Sequence, residues 1–340
     1  MLRVNAERGA DNLVIRCLRV APKERVRIAT WRCDDEYAIV AAACERAGAV
    51  VTRIALEALE RMPDAERTTL LTTDFASAEA SVMLASVGLD TTLSASVLRA
   101  AQSAGIRHVH VASIDLRVMS QSMRADPDTI AVLGERVRAI VRPPSALHVF
   151  GENGTQLDVG LSNRFPVALA AGRPEPGRAD YLPSGTVFAF PASIQGRYVA
   201  DRGVVGTGVR FAPASVRRAP VSVEIVDGRV RSFRTADPEL SQAIDRYLAS
   251  HVHAPRVGMV ILPVNYIARA EIGLDIQDRL LPGCVISLGF TAQKSTQATF
   301  DAPVQLQLFA RRLSVECAGR SLVTAGRLDE SLVEGIDPFR

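Results

Sequence analysis

YLPSGTVFAFPASIQGRYVADR, residues Tyr181–Arg202, is the stretch whose reading decides the fold. Leu182-Pro183-Ser184-Gly185 is turn chemistry, because proline fixes φ and glycine accepts positive φ. Val187–Phe190 then reads as a short buried strand, which Pro191 stops. Arg197 and Arg202 flank the next strand, either as groups that hold a carboxylate or as solvated charges.

The chain around this segment has 340 residues, 48% hydrophobic and 23% charged, which suits two globular domains rather than disorder. A net charge of +3 gives no global argument for nucleic acid or a membrane surface. The five cysteines have no C-x-x-C spacing, so neither a disulfide framework nor a zinc ribbon is expected. No long apolar run or signal-like leader is present, and a reducing cytoplasm is the expected compartment.

Before the quoted segment, strands alternate with helices. Residues 6–20 carry Leu13, Cys17 and Val20 at helical spacing. Arg25–Ala29 and Ala49–Ala55 read as strands around a helix over Asp34–Ala47 that closes at Gly48. Thr68–Thr73 and Arg107–Ala112 read as further strands, with a helix over Ser94–Ala104 between them. A last helix runs from Asp126-Pro127 to the break at Pro143-Pro144. This order predicts a Rossmann-like parallel α/β domain over residues 1–145. Ligands of such sheets sit beyond the carboxyl ends of the strands. Those ends carry Trp31 with Asp34, then Asp74, then Ser113 with Asp115. Trp31 either caps the core or holds an aromatic or apolar group, and Asp34 and Asp115 serve as site residues or helix N-caps. No G-x-G-x-x-G follows any strand, so no dinucleotide is expected.

From residue 146 to 340 the composition shifts toward strands and Gly/Pro turns, predicting a strand-rich α/β domain. Phe150–Thr155 reads as a loop before a strand at Gln156–Leu161, and Gly203–Gly208 reads as a flexible turn. Val221–Phe233 is a hairpin about Asp227-Gly228, and Asp237–Ser250 is a capped helix. Strands near Val257–Leu262, Cys284–Phe290 and Val304–Ala310 precede a last hairpin at Gly319.

Leu182-Pro183-Ser184-Gly185-Thr186-Val187-Phe188 resembles the N-L-P-x-G-E-V-F segment of the thermophilic aminopeptidase T family and its 2,5-dihydroxypyridine 5,6-dioxygenase relative. Gly154-Thr155-Gln156-Leu157 matches that family's G-T-D-L except at Gln156, and the later elements follow in the family's order. The resemblance implies a metal centre in the second domain and a homodimer. Carried over one at a time, its ligand positions fall on Thr186, Met259, Val285, Gln305 and Gln307. None of these is a carboxylate or an imidazole, the donors that a divalent metal needs. Asp301 is the one carboxylate between Leu280 and Arg312, and no histidine follows His253. His251 and His253 could bind a metal by spacing, but two imidazoles without carboxylate support make a weak site, and they read as a surface pair. We therefore expect no metal and no other cofactor, and neither an active metallopeptidase nor a dioxygenase.

The replacements suit an interior pocket. Gln305 and Gln307 share one strand face, where two amides can read a peptide backbone or satisfy one another. Lys294 lies in TAQKSTQAT (Thr291–Thr299), and is one of two lysines in the chain. It is a carboxylate partner, a base if buried, or a solvated charge. Lys294 and Asp74 are the catalytic candidates; Trp31, Thr186, Arg197, Met259, Gln305 and Gln307 are the ligand-binding ones. The function expected is binding of a peptide or peptide-like compound in an interdomain cleft, to present it or help it cyclise, as on a precursor peptide in natural-product biosynthesis. A metal-independent small-molecule enzyme near the dioxygenase branch is the alternative.

Overall fold

The alternating run at Arg25 forms the first strand of a parallel sheet, in a computed structural model that describes residues 1–337. The chain divides into two compact units, Met1–Thr129 with Ala170–Ser184, and Ile130–Leu169 with Gly185 onward. In the first unit β1 (Arg25–Trp31), β2 (Val50–Ala55), β3 (Ala80–Ala85) and β4 (Arg107–Ala112) run parallel in the order β2-β1-β3-β4. Asp180–Tyr181 adds a parallel edge beside β4. Parallel neighbours require crossovers. Helices supply them: α1 (Leu2–Asp11) precedes the sheet, and α2 (Asp34–Arg46), α3 (Asp64–Phe75) and α4 (Thr91–Ser103) link its strands. α5 (Leu116–Ser120) follows β4, and α6 (Pro127–Ile140) begins in this unit and continues into the second from Ile130. This is the Rossmann-like arrangement that the alternation predicts.

One element differs. Thr68–Thr73, expected as a strand, lies inside α3, and the third strand is Ala80–Ala85 instead. The threonine run favours a strand locally, but Arg67, Leu71 and Phe75 recur every fourth residue and bury one helical face. All six residues of β3 are buried, so its sequence has no alternation to reveal it.

Within this unit a line of hydrogen bonds crosses the core. Ser81 Oγ lies 2.7 Å from His108 Nδ1, His108 Nε2 lies 3.2 Å from His110 Nδ1, and His110 Nε2 lies 2.8 Å from Ser94 Oγ. The two imidazoles share a face of β4 by period-two alternation, and both are buried.

The second unit contains two sheets. Along the chain its strands are β5 (Ser145–Phe150), β6 (Gln156–Leu161) and β7 (Ala168–Ala170). With Asp180–Tyr181 counted as β8, the series continues through β9 (Thr186–Ala189), β10 (Ser193–Ala200), β11 (Gly203–Gly206) and β12 (Val209–Arg210). β13 (Val221–Val226) and β14 (Arg229–Arg234) are the predicted Asp227-Gly228 hairpin. After these come β15 (Val257–Pro263), β16 (Val285–Gly289) and β17 (Gln305–Phe309). The last are β18 (Ser314–Cys317), β19 (Arg320–Thr324) and β20 (Arg327–Leu328). Eight strands form one sheet, β14-β13-β10-β6-β5-β18-β19-β20, and seven form the other, β12-β11-β17-β16-β15-β9-β7. The sheets are pinned by Tyr198 of β10, wholly buried, whose hydroxyl donates to the Cys284 carbonyl at 2.7 Å.

Tyr181–Arg202 thus supplies one strand to each of the three sheets. Gly203–Gly206, expected as part of a flexible turn, is instead a paired strand. Its glycines allow a close approach: a Cβ on Gly203 would meet the Phe309 ring.

Candidate functional site

The face of the seven-stranded sheet that carries the candidate site follows from register. Thr186 pairs with Pro263, Phe188 with Ile261, Ile261 with Val285, and Val285 with Phe309. Met259 pairs with Ser287, and Ser287 with Gln307. Directly paired residues, and those two apart along a strand, share a face. Thr186, Met259, Val285, Gln305 and Gln307 therefore lie on one face.

That face is largely apolar. Met259, Ile261, Val285 and Phe309 form one buried cluster, with Phe188, Val205 and Ala292 packed against it. Burial of the Phe309 ring alone contributes on the order of 2–3 kcal/mol. The two glutamines do not satisfy one another. Gln305 Nε2 donates to Ser287 Oγ at 3.0 Å, and Gln307 Oε1 accepts from Arg279 Nη1 at 3.2 Å. Guanidinium can only donate, which fixes the orientation of the Gln307 amide. Gln305 Oε1 and Gln307 Nε2 have no protein hydrogen-bond partner among the described residues. One face thus offers one free acceptor and one free donor, two residues apart. Arg279, just after the short helix Asp275–Asp278, is a residue that the sequence reading missed: it lies 28 positions before Gln307 and no motif joins them.

Beside the cluster runs the Thr291–Thr299 loop. Its one helical turn, Gln293–Thr296, is flanked by Ala292 and Gln297, which have φ of 50° and 53°. Left-handed backbone at a non-glycine residue costs about 1–2 kcal/mol, so its surroundings must hold it. Thr291 Oγ1 lies 3.0 Å from the Phe300 carbonyl and 2.9 Å from Asp301, and Thr296 Oγ1 donates to the Thr291 carbonyl at 2.8 Å. Phe300 closes the loop in an aromatic cluster with Phe165 and Phe190, under the Arg256 guanidinium at 4.0 Å. Lys294 is exposed on this turn and has no ion pair among the described residues.

The remaining candidates lie elsewhere. Trp31 is 5% exposed in the core of the first unit, and its indole N–H donates to Glu60. Asp74, within α3 rather than beyond a strand, pairs with Arg27 at 3.2 Å. Asp34 pairs with exposed Arg53. Asp115 caps α5, accepting from Arg117 N at 2.8 Å and Val118 N at 3.0 Å. Arg197 pairs across β10 and β13 with Glu224 at 2.5 Å, on an exposed surface. His251 Nδ1 accepts from His253 N at 3.1 Å, and the His253 ring lies 4.8 Å from Phe300, so the pair is tied into the loop.

A family model described as NicX, 2,5-dihydroxypyridine 5,6-dioxygenase, matches residues 12–255. The chain belongs to this family. Two solved structures agree with the NicX match. The 2,5-dihydroxypyridine dioxygenase of Pseudomonas putida KT2440 is 18% identical, with TM-score 0.66, over 96% of this chain and 98% of its own. Wild-type AmpT of Thermus thermophilus is 15% identical, with TM-score 0.67, over 96% and 100%. At such identities the likeness concerns the fold. No curated protein matches by sequence.

The metal centre that the NicX resemblance implies does not fit these residues. The residues onto which the resemblance carries its ligand positions, Thr186, Met259, Val285, Gln305 and Gln307, offer a hydroxyl, a thioether, an alkyl group and two neutral amides. Among the described residues no three His, Cys, Asp or Glu side chains gather where they could hold a metal. Excess EDTA is therefore expected to move the melting temperature by less than about 1 °C. A drop of several degrees, reversed by Zn, Mn or Fe(II), would show that a metal is part of the folded protein.

Proposed function

We propose that this NicX-family chain binds a peptide or peptide-like compound against the Met259–Gln307 face and acts on it, by presenting it or helping it cyclise, without a metal. The observation that carries this reading is the free Gln305 Oε1 beside the free Gln307 Nε2. A backbone amide presents one N–H and one carbonyl, the complement of that pair. The exposed Lys294 ammonium suits a terminal carboxylate. Holding two reactive ends of a substrate in contact can supply much of a rate enhancement. A precursor peptide in natural-product biosynthesis is a ligand of this chemistry.

The family match favours a second reading, a metal-independent enzyme acting on a small heterocycle. A cyclic amide carries the same donor and acceptor on one ring edge.

Calorimetric titration with capped dipeptides and with single-ring lactams separates the two. Gln307→Ala is expected to weaken binding about 10-fold, the value of one buried hydrogen bond. Equal affinity in the variant would remove the face from consideration. Lactam binding without dipeptide binding would support the second reading.

A further inference from the structure

Beyond this face, the second unit contains a cavity of about 490 Å³ lined by Glu152, Asn153, Asp201, Arg202, Glu271, Arg311 and Arg312. Arg202 sits in the turn between β10 and β11 and is 7% exposed. A guanidinium has five N–H donors. This one has a single long bond, from Nη1 to the Asp278 carbonyl at 3.5 Å. Its Nε lies 3.4 Å from Glu271 without making a hydrogen bond, and Arg311 Nε also has no partner. Buried polar groups are normally satisfied.

Several of the nearby acceptor atoms are already engaged. Glu271 Oε2 accepts from Arg217 at 2.7 Å and from Arg311. Asp201 Oδ1 accepts the Arg311 backbone N–H at 2.7 Å. The Asp278 carboxylate takes the N–H groups of Ile272 and Gly273 at 2.8 and 2.9 Å. Asn153 is spent on the Val199 carbonyl and the Thr155 N–H. Glu152 is exposed at the rim, as is the Arg312 side chain. Two buried N–H donors of this cavity, Arg202 Nε and Arg311 Nε, are thus taken up by no protein acceptor among the described residues, although Glu152, Asp201 and Glu271 also line it, and burial pulls the Arg202 pKa down.

We infer that this cavity is a binding site for an oxyanion, a carboxylate or a phosphate group, gripped by Arg202 and Arg312. Such a group brings several acceptor oxygens in the planar or tetrahedral geometry that a guanidinium fork matches. The volume falls within the range of small-ligand sites.

The test is a titration of the full-length protein with inorganic phosphate and, separately, with citrate, at constant ionic strength set by chloride. Melting temperature and calorimetric heat are both read. A saturable rise with either probe is expected, and which probe binds identifies the oxyanion class. Arg312→Ala, an exposed change, should weaken binding at least about 10-fold, and Arg202→Lys should weaken it while keeping the charge. Gln307→Ala should leave this binding unchanged, which separates this cavity from the amide-reading face. No saturable response to either probe would overturn the inference. So would wild-type affinity in Arg312→Ala, or loss of the response in Gln307→Ala.

Discussion

Between pH 6.5 and about 4 the protein should lose about 3 kcal/mol of folding stability through His110 alone. Burial holds this imidazole neutral and lowers its pKa from 6.5 to about 4. His108, also buried, is pushed well below its usual value by burial first and by its neighbour second. A base whose pKa is depressed by folding takes its proton first in the unfolded chain. The contribution is therefore complete above 6.5, falls as pH drops, and levels off below the folded value. His108 acts in the same direction. Carboxylates also titrate in acid, so the test is a comparison. Urea midpoints of wild type and His110→Gln are measured near pH 7 and near pH 5. Glutamine can still bond Ser94 and His108, and the variant should show a clearly shallower loss. Parallel pH curves for the two proteins would mean that the histidine pair does not govern acid stability.

Gly206→Ala is the second large effect, costing about 3 kcal/mol by overpacking. A Cβ at Gly206 would fall on the Gln305 carbonyl, with Leu306 Cα 2.7 Å away. Both obstacles are backbone, so β17 itself must move, and with it Gln305 and Gln307. Amide binding should fall together with stability. Gly208 is the control. Nothing lies within 4 Å of its added Cβ, and its φ of +68° makes alanine cost about 1 kcal/mol. Urea melts and dipeptide titrations of both variants check this. If Gly206→Ala behaves like Gly208→Ala, close approach of β11 is not what positions the glutamines.

The legible parts of the fold were those whose signals are local. Asp227-Gly228 fixed a hairpin, Asp237-Pro238 opened a helix that the Asp237 side chain caps, and period-two alternation put Gln305 and Gln307 on one face. The misread parts were settled by distant partners. α3 is helical because Arg67, Leu71 and Phe75 share a buried face, against the local preference of its threonines. Gly203–Gly206 pairs as a strand because Phe309 and Gln305 lie against it. The site divides in the same way. Its face was readable from the resemblance and from alternation. The Arg279 contact that orients Gln307, and the buried Arg202 Nε that no acceptor among the described residues takes up, exist only once the chain has folded.

The chain passes from the first unit to the second at residue 130, returns at 170 and leaves again at 185. Asp180–Tyr181, which closes the parallel sheet beside β4, is therefore made after residues 130–169 have been committed to the other unit. On the ribosome the first unit waits with an open β4 edge while part of its neighbour emerges. Exposed edges of this kind are where strands pair with the wrong chain. Neither unit can be cut out as one continuous piece. A fragment ending at residue 129 would lack the Tyr181 ring that packs on His110. To isolate the first unit, its closing strand would have to be joined back by a designed linker.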